Sequence, residues 1–289
     1  MRSDMRQRTL ALRRTLADRL ATLAATAAAV LVLAPLIAIF VYLVYRGAGA
    51  LSITFLTHAP KPVGEAGGGI GNAIAGSALI LGISSAIGIP LGVGAGIYLA
   101  EYGRGKLATL VRFVADVLNG VPSIVMGIAV YALVVIRQRH FSAFAGGVAL
   151  GIMMIPTITR TSEEMLLMVP RSIREAALGL GIPQWRTIIS VTLRTSLPGV
   201  ITGVMLAFAR VAGETAPLLF TAFGNQFWNF SPNQPTAALP LQIFAYAISP
   251  YEEWHQQAWA GALVLIALIV GTVFVVRFVT SRGTLKGAA

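Results

Sequence analysis

The sequence of 289 residues has no cysteine, three histidines and only 11% charged residues, whereas soluble domains carry roughly 25%. The lack of cysteine excludes disulfides, thiolate metal sites and a cysteine nucleophile. The scarcity of charge excludes a soluble globular domain, and a hydrophobic content of 56% with a mean hydropathy of +0.77 points to a membrane protein. No histidine and no pair of carboxylates falls inside a long apolar run, so a membrane-embedded enzyme lacks residues for acid–base or metal chemistry. No Gly-x-x-x-x-Gly-Lys-[Ser/Thr] occurs either, and Gly103-Arg104-Gly105-Lys106 has the wrong spacing to cradle phosphates. Any ATP hydrolysis therefore belongs to another chain, and no cofactor is expected in this one.

What is present is a set of uncharged runs. Crossing about 30 Å of hydrocarbon takes roughly 20 helical residues, and 21–45, 72–100, 117–136, 141–159 and 256–276 satisfy this. A sixth run, 197–221, contains Arg210 and Glu214. The first run has 25 residues and ends near Tyr42 and Tyr45. It is too long for a signal h-region of about 7–15 and is read as a retained transmembrane helix. Six spans place both termini on one side. That side carries seventeen basic residues, in 1–20, 101–116, 160–196 and the C-terminal end, against four on the other: Arg46, Lys61, Arg137 and Arg139. The positive-inside rule makes both ends and the tail 1–20 cytoplasmic, and the segment 222–255 external. Gly88, Gly92 and Gly96 form a row on the second span that allows a neighbouring backbone to approach; generic helix packing explains it. The aromatics of 222–255, Phe227, Trp228, Phe230, Phe244, Tyr246, Tyr251 and Trp254, read mainly as an interfacial belt, with a docking surface as the alternative.

The 160–196 loop reads as two short helices around Gly179 and Gly181. Ser172 with Glu175 has the spacing of a capping box, and Pro183 has that of a first-turn proline. Such a protrusion suits either a membrane-surface helix pair or a contact that receives force from a soluble partner. In the fifth span, a charge near mid-membrane costs roughly 2.5 to 3.5 kcal/mol, so Arg210 should face a cavity or a partner. Glu214 lies four residues on, in the Arg-before-Glu order that is the weaker one on a helix. A self-neutralising pair and a functional site both remain open. A guanidinium fork suits a small oxyanion, and a neighbouring carboxylate can accept a hydrogen bond from a protonated one. Arg210 with Glu214 is therefore what a path passing phosphate and rejecting sulfate could use.

Glu175-Ala176-Ala177-x-x-x-Gly181 resembles the EAA loop of ATP-binding cassette (ABC) importer permeases, although Arg194 stands where that pattern has proline. The run from Arg210-Val211-Ala212-Gly213-Glu214-Thr215-Ala216-Pro217 through Ala222 is similar to the PstA family, one of the two permease kinds of phosphate-specific ABC importers. Gly68-Gly69-Ile70, Leu99-Ala100-Glu101-Tyr102, Gly120-Val121-Pro122-Ser123 and Ala237-Ala238-Leu239-Pro240 extend the similarity over residues 65–285. The resemblance implies an all-α integral membrane protein with a six-helix, MetI-like permease core in a bacterial plasma (inner) membrane. Arg210 and Glu214 would lie on the substrate path, and Glu175, Ala176, Ala177 and Gly181 in the coupling element that docks on an ATPase. The implied partners are a PstC-like permease, two PstB-like ATPase subunits that bind the ATP, and an extracytoplasmic phosphate-binding protein. A permease for molybdate, sulfate or phosphonate is the nearest alternative, and a passive anion channel a more distant one.

The topology has a direct test, since the chain has no native cysteine. Cysteines placed at positions 225 and 235 should react with a membrane-impermeant maleimide from outside intact cells; protection of both would overturn the orientation.

Overall fold

The computed structural model describes residues 2–65 and 67–285, with side chains over 13–65 and 67–280. The side chains of the basic residues at 2, 6, 8, 282 and 286 lie outside the described residues. Among the described residues the secondary structure is helical, with a single isolated bridge between Phe223 and Thr236. Five helical segments are long and apolar enough to cross a membrane, and a bent pair makes a sixth.

In chain order these are α1 (Arg2–Gly47), the short α2 (Ile53–Thr57), α3 (Gly71–Ile97), the bent pair α4 (Lys106–Gly120) and α5 (Ser123–Val130), and α7 (Ala143–Leu167). Between the last two, α5 continues through a π-turn into α6 (Ile136–Gln138). Arg139, with φ of 61°, ends that run in the left-handed region. Then come α8 (Arg171–Gly179), α9 (Gln184–Thr187), α10 (Leu193–Ala212), α11 (Ala216–Leu219), α12 (Leu239–Ala247) and α13 (Glu252–Leu285).

The centre is α7. Its most apolar stretch is 61% buried, against 6% for those of α1 and α13. The glycine row of α3 lies against it. A Cβ on Gly88 would come within 2.8 Å of Met154 Cβ, one on Gly92 within 2.7 Å of Ile158 Cβ, and one on Gly96 within 2.5 Å of Ser162 Cβ. The fit is reciprocal, because Gly147 and Gly151 of α7 receive Ile83 and Ile87 of α3. On another side of α7, Gly199 and Gly203 of α10 receive Met165 and Thr161. Ile80, Leu150, Met154, Ile158, Val204, Ala207 and Val211 close one apolar core from these three helices. Small residues let the backbones meet, and dispersion over that area holds them where lipid offers no hydrophobic gain.

The first turn of α7 is buried, and its N–H groups need partners. Ser142 Oγ caps Ala145 N at 3.1 Å, while Ala143 N donates to Gln234 O at 3.0 Å and Phe144 N to Pro232 O at 2.8 Å. The 222–255 segment is likewise tied to α3: Asn72 donates to Asn225 O at 2.8 Å, and Ser77 Oγ accepts from Leu239 N at 2.7 Å. α1 joins the bundle only near its end, where Gly47 lies against the Trp259 carbonyl and Tyr42 meets the Trp259 ring edge-on at 5.2 Å.

Four expectations are corrected. The third span, expected over 117–136, breaks at Val121-Pro122 and turns by 106°, because proline disfavours helix at the residue before it. α7 does not stop at 159 but runs to Leu167. Arg160, Glu163 and Glu164 are therefore helical, and with Asp116 of α4 they place three carboxylates in the helices of the third and fourth spans, whose expected runs 117–136 and 141–159 hold none. The span expected over 197–221 ends at Ala212. Finally, Ser172 makes no cap: α8 starts at Arg171 behind Pro170, with no side-chain hydrogen bond at its first turn.

Two alanine substitutions on α3 should act with opposite sign. Gly92→Ala forces its new Cβ into Ile158 and should destabilise the purified protein by about 1–3 kcal/mol. Gly94→Ala has nothing within 4 Å and should be neutral or stabilise by up to about 1 kcal/mol through helix propensity. Thermal unfolding followed by fluorescence reads both, and equal shifts would contradict the packing described.

Candidate functional site: the coupling loop and the end of α10

The EAA-like residues lie on α8. Glu175 and Ala176 are exposed, and Ala177 is turned inward. Gly181 has φ of +80°. Its N–H donates to Leu178 O at 2.9 Å and that of Ile182 to Ala177 O at 3.3 Å, the paired bonds of a Schellman stop, in which the left-handed position favours glycine. Gly181 thus ends α8 and sets the reversal into α9. Leu178, Leu180 and Trp185 stay exposed around this turn, Leu180 by 82%. Glu175 thus shares an exposed tip with large apolar side chains.

The second helix of the loop is not separate. α9 runs through a π-turn at Ile188–Thr192 directly into α10, giving one helical segment from Gln184 to Ala212. At about 1.5 Å per residue it spans some 40 Å, from the loop to the turn that holds Arg210.

α10 presents Gly203, Ala207 and Val211 to the bundle and leaves Thr202, Leu206 and Arg210 on an open stripe. Arg210 is exposed in the last turn rather than at mid-helix. Glu214 lies beyond the helix end, its N–H bonded to Val211 O at 3.1 Å; the shared helical face expected for the two side chains does not exist. Neither forms a hydrogen bond or ion pair through its side chain with the described residues. The self-neutralising pair is thereby removed, and the guanidinium stays available. The segment after Glu214 packs on α5, where a Cβ at Gly127 would meet Pro217 Cα at 2.6 Å. α5, which follows the helix break, and α11, which follows the end of α10, therefore pack on each other.

A group of charged residues missed in the sequence reading joins α4 to α7. Arg112 Nε donates to Glu163 Oε1 at 2.7 Å and Arg112 Nη2 to Leu99 O at 3.3 Å. Arg160 bridges Glu163 at 3.1 Å and Asp116 at 2.5 Å, and Thr157 donates to Asn119 at 3.2 Å one turn further on. Glu163 is only 4% exposed and meets two guanidinium groups, those of Arg112 and Arg160. The signal was present: Arg112 and Asp116 share a face at i,i+4, as do Arg160 and Glu163 at i,i+3. Among the described residues no group of three metal-binding side chains occurs.

The aromatics of 222–255 divide. Phe227 and Phe230 are largely exposed, whereas Tyr246 is 4% exposed and stacks on Trp254 at 4.8 Å. Burial pushes the Tyr246 hydroxyl above its ordinary pKa. Beside them Asn225, Gln226, Gln242 and Tyr246 line an open groove of 440 Å³.

Residues 88–283 match the family described as binding-protein-dependent transport system inner membrane component. The phosphate transport system permease protein PstA of Yersinia pestis is 49% identical over 228 residues, covering 78% of this chain and 77% of that protein. PstA of Pasteurella multocida (strain Pm70) is 49% identical over 230 residues, covering 79% and 81%. PstA 1 of Mycobacterium tuberculosis (strain ATCC 25618 / H37Rv) is 35% identical over 286 residues, covering 95% and 92%. Among solved structures, an inward-facing MetNI methionine ABC transporter superposes with a TM-score of 0.55 at 19% identity, covering 74% of this chain and 93% of that one; at that identity the likeness is one of fold. By the family model over residues 88–283 and by these relatives, the chain belongs to the binding-protein-dependent transport system inner membrane component family, among permeases of the PstA kind.

Proposed function

We propose that this chain is a permease subunit of an ATP-driven importer of inorganic phosphate, forming half of the path across the plasma (inner) membrane of a bacterium. The other half comes from a PstC-like permease. Two PstB-like ATPase subunits bind and hydrolyse the ATP, and an extracytoplasmic phosphate-binding protein delivers the anion. Both termini are cytoplasmic. The observation that carries this reading is the exposed, unpaired guanidinium of Arg210 at the far end of the helix that starts in the coupling loop, in a chain about half identical to phosphate transport permeases.

The chemistry follows from the residue types. Arg210 offers two parallel donors to an oxyanion entering between the two permeases. Glu214 repels an anion without a proton and accepts a hydrogen bond from one that keeps a proton, as phosphate does near neutrality and sulfate does not. ATP-driven closure of the ATPase pair pushes on the tip around Glu175, Ala176, Ala177 and Gly181. The continuous α9–α10 segment passes that push to Arg210, opening the path to one side at a time.

Loss of one charged hydrogen-bonding partner costs about 1.5–3 kcal/mol, so Arg210→Gln should lower phosphate uptake roughly ten- to hundredfold with assembly intact, and Arg210→Lys should recover only part. Glu214→Gln should leave uptake but admit more sulfate. Normal uptake by Arg210→Gln would remove the site assignment, and an unchanged phosphate-to-sulfate ratio in Glu214→Gln would remove the role given to that carboxylate.

The docking tip is tested separately. Glu175 is exposed and takes no part in the hydrogen bonds that end α8, so Glu175→Ala should insert and melt like the wild type. It should lose co-purification of the ATPase or its stimulated uptake; retention of both would contradict the docking role.

A further inference from the structure

Arg174 directly precedes the exposed Glu175, yet it points the opposite way. Its Nη2 donates to the Leu166 carbonyl at the end of α7 at 2.6 Å and lies 3.2 Å from Glu101 Oε1. Glu101 sits in the π-turn that extends α3, and the two side chains are only 17% and 8% exposed. One guanidinium thus touches all three elements that meet here: the coupling helix, the end of α7 and the end of α3.

The contact is close but not well aligned. Glu101 Oε1 has no hydrogen-bond partner despite the 3.2 Å approach, and the buried Arg174 Nε has none either. A buried carboxylate and guanidinium that touch without sharing a directed bond leave both desolvated groups incompletely compensated. A small rotation of α8 would bring the Arg174 fork onto the Glu101 carboxylate. The same turn of α3 carries Leu99, whose carbonyl accepts from Arg112, so the contact is continuous with the group around Glu163 and Asp116.

We propose that Arg174 and Glu101 are positioning residues for coupling: their ion pair fixes the coupling helix against the α3–α7 unit and changes alignment when the ATPase closes. This rests on the permease reading above. It assigns Arg174 to the transmembrane side of the loop and Glu175 to the ATPase side, so adjacent residues serve opposite surfaces.

The test uses the complete transporter in vesicles, with Glu101→Gln, Arg174→Gln and the exchanged pair Glu101→Arg with Arg174→Glu. One readout is phosphate moved per ATP hydrolysed. The other does not depend on the anion: the distance between spin labels on Leu107→Cys of α4 and Ser172→Cys at the exposed start of α8, away from the tip, with and without trapped ATP. Each single variant should hydrolyse ATP yet move roughly tenfold less phosphate per ATP, the change a typical coupling between contacting residues gives. Its label distance should broaden and cease to shift with ATP, and the exchanged pair should restore both. Single variants with the wild-type ratio and the wild-type distance shift would overturn the proposal. If the single variants fail to assemble, the exchanged pair decides: recovery of the distance shift supports the pairing, and its absence overturns it. A wild-type complex that shifts its label distance but moves no phosphate would contradict the substrate assignment alone.

Discussion

The contact on which the rest of the molecule depends is the close approach of α3 and α7. Gly88, Gly92 and Gly96 meet Met154, Ile158 and Ser162, while Gly147 and Gly151 meet Ile83 and Ile87. In a bilayer the apolar side chains gain nothing by leaving lipid, so helices stay together only where close packing and shared hydrogen bonds exceed what lipid tails provide. Five glycines in complementary positions supply that closeness. They bury α7 so deeply that its first N–H groups must be completed from outside the helix, by carbonyls of Gln234 and Pro232. The same burial accounts for the pairing of Glu163 with Arg112 and Arg160, since a lone carboxylate at 4% exposure would be expensive.

In the proposed transport cycle α10 is the lever that moves against this pair. It touches α7 through Gly199 and Gly203, leaves an open stripe ending in Arg210, and is continuous with α9 at the docking tip. A helix with its own hydrogen bonds satisfied can shift as a unit without exposing backbone to lipid, which a chain of short elements cannot do. The π-turn at Ile188–Thr192 and Pro198 are the irregular pieces in it, and π-turns are frequent at functional sites.

The number of spans, the packing role of the glycine row and the family were legible in the sequence because each rests on a local pattern: run length, i,i+4 spacing and a contiguous motif. The ends of the elements were not. Hydropathy stops at the first charge, so Arg160 appeared to begin a loop; the helix continues to Leu167 because Arg112 and Asp116 of another helix satisfy its charges. The break at Val121-Pro122 hid inside an uninterrupted apolar run, where only the residue before the proline hinted at it. Ser172 and Glu175 had the spacing of a capping box, but Pro170 starts α8 one residue too early for it to form. Arg210 and Glu214 share a face only on a helix that continues to 221, and α10 ends at Ala212. In each case the missing information was a partner distant in sequence or a local terminator stronger than the propensity around it.

Reconstitution of this chain with its permease partner, the ATPase pair and the binding protein in vesicles, with uptake of labelled phosphate and of labelled sulfate compared side by side, addresses the account most directly. It predicts phosphate uptake that requires ATP and the binding protein, with sulfate excluded. Equal uptake of the two anions, or phosphate entry without ATP, would contradict it.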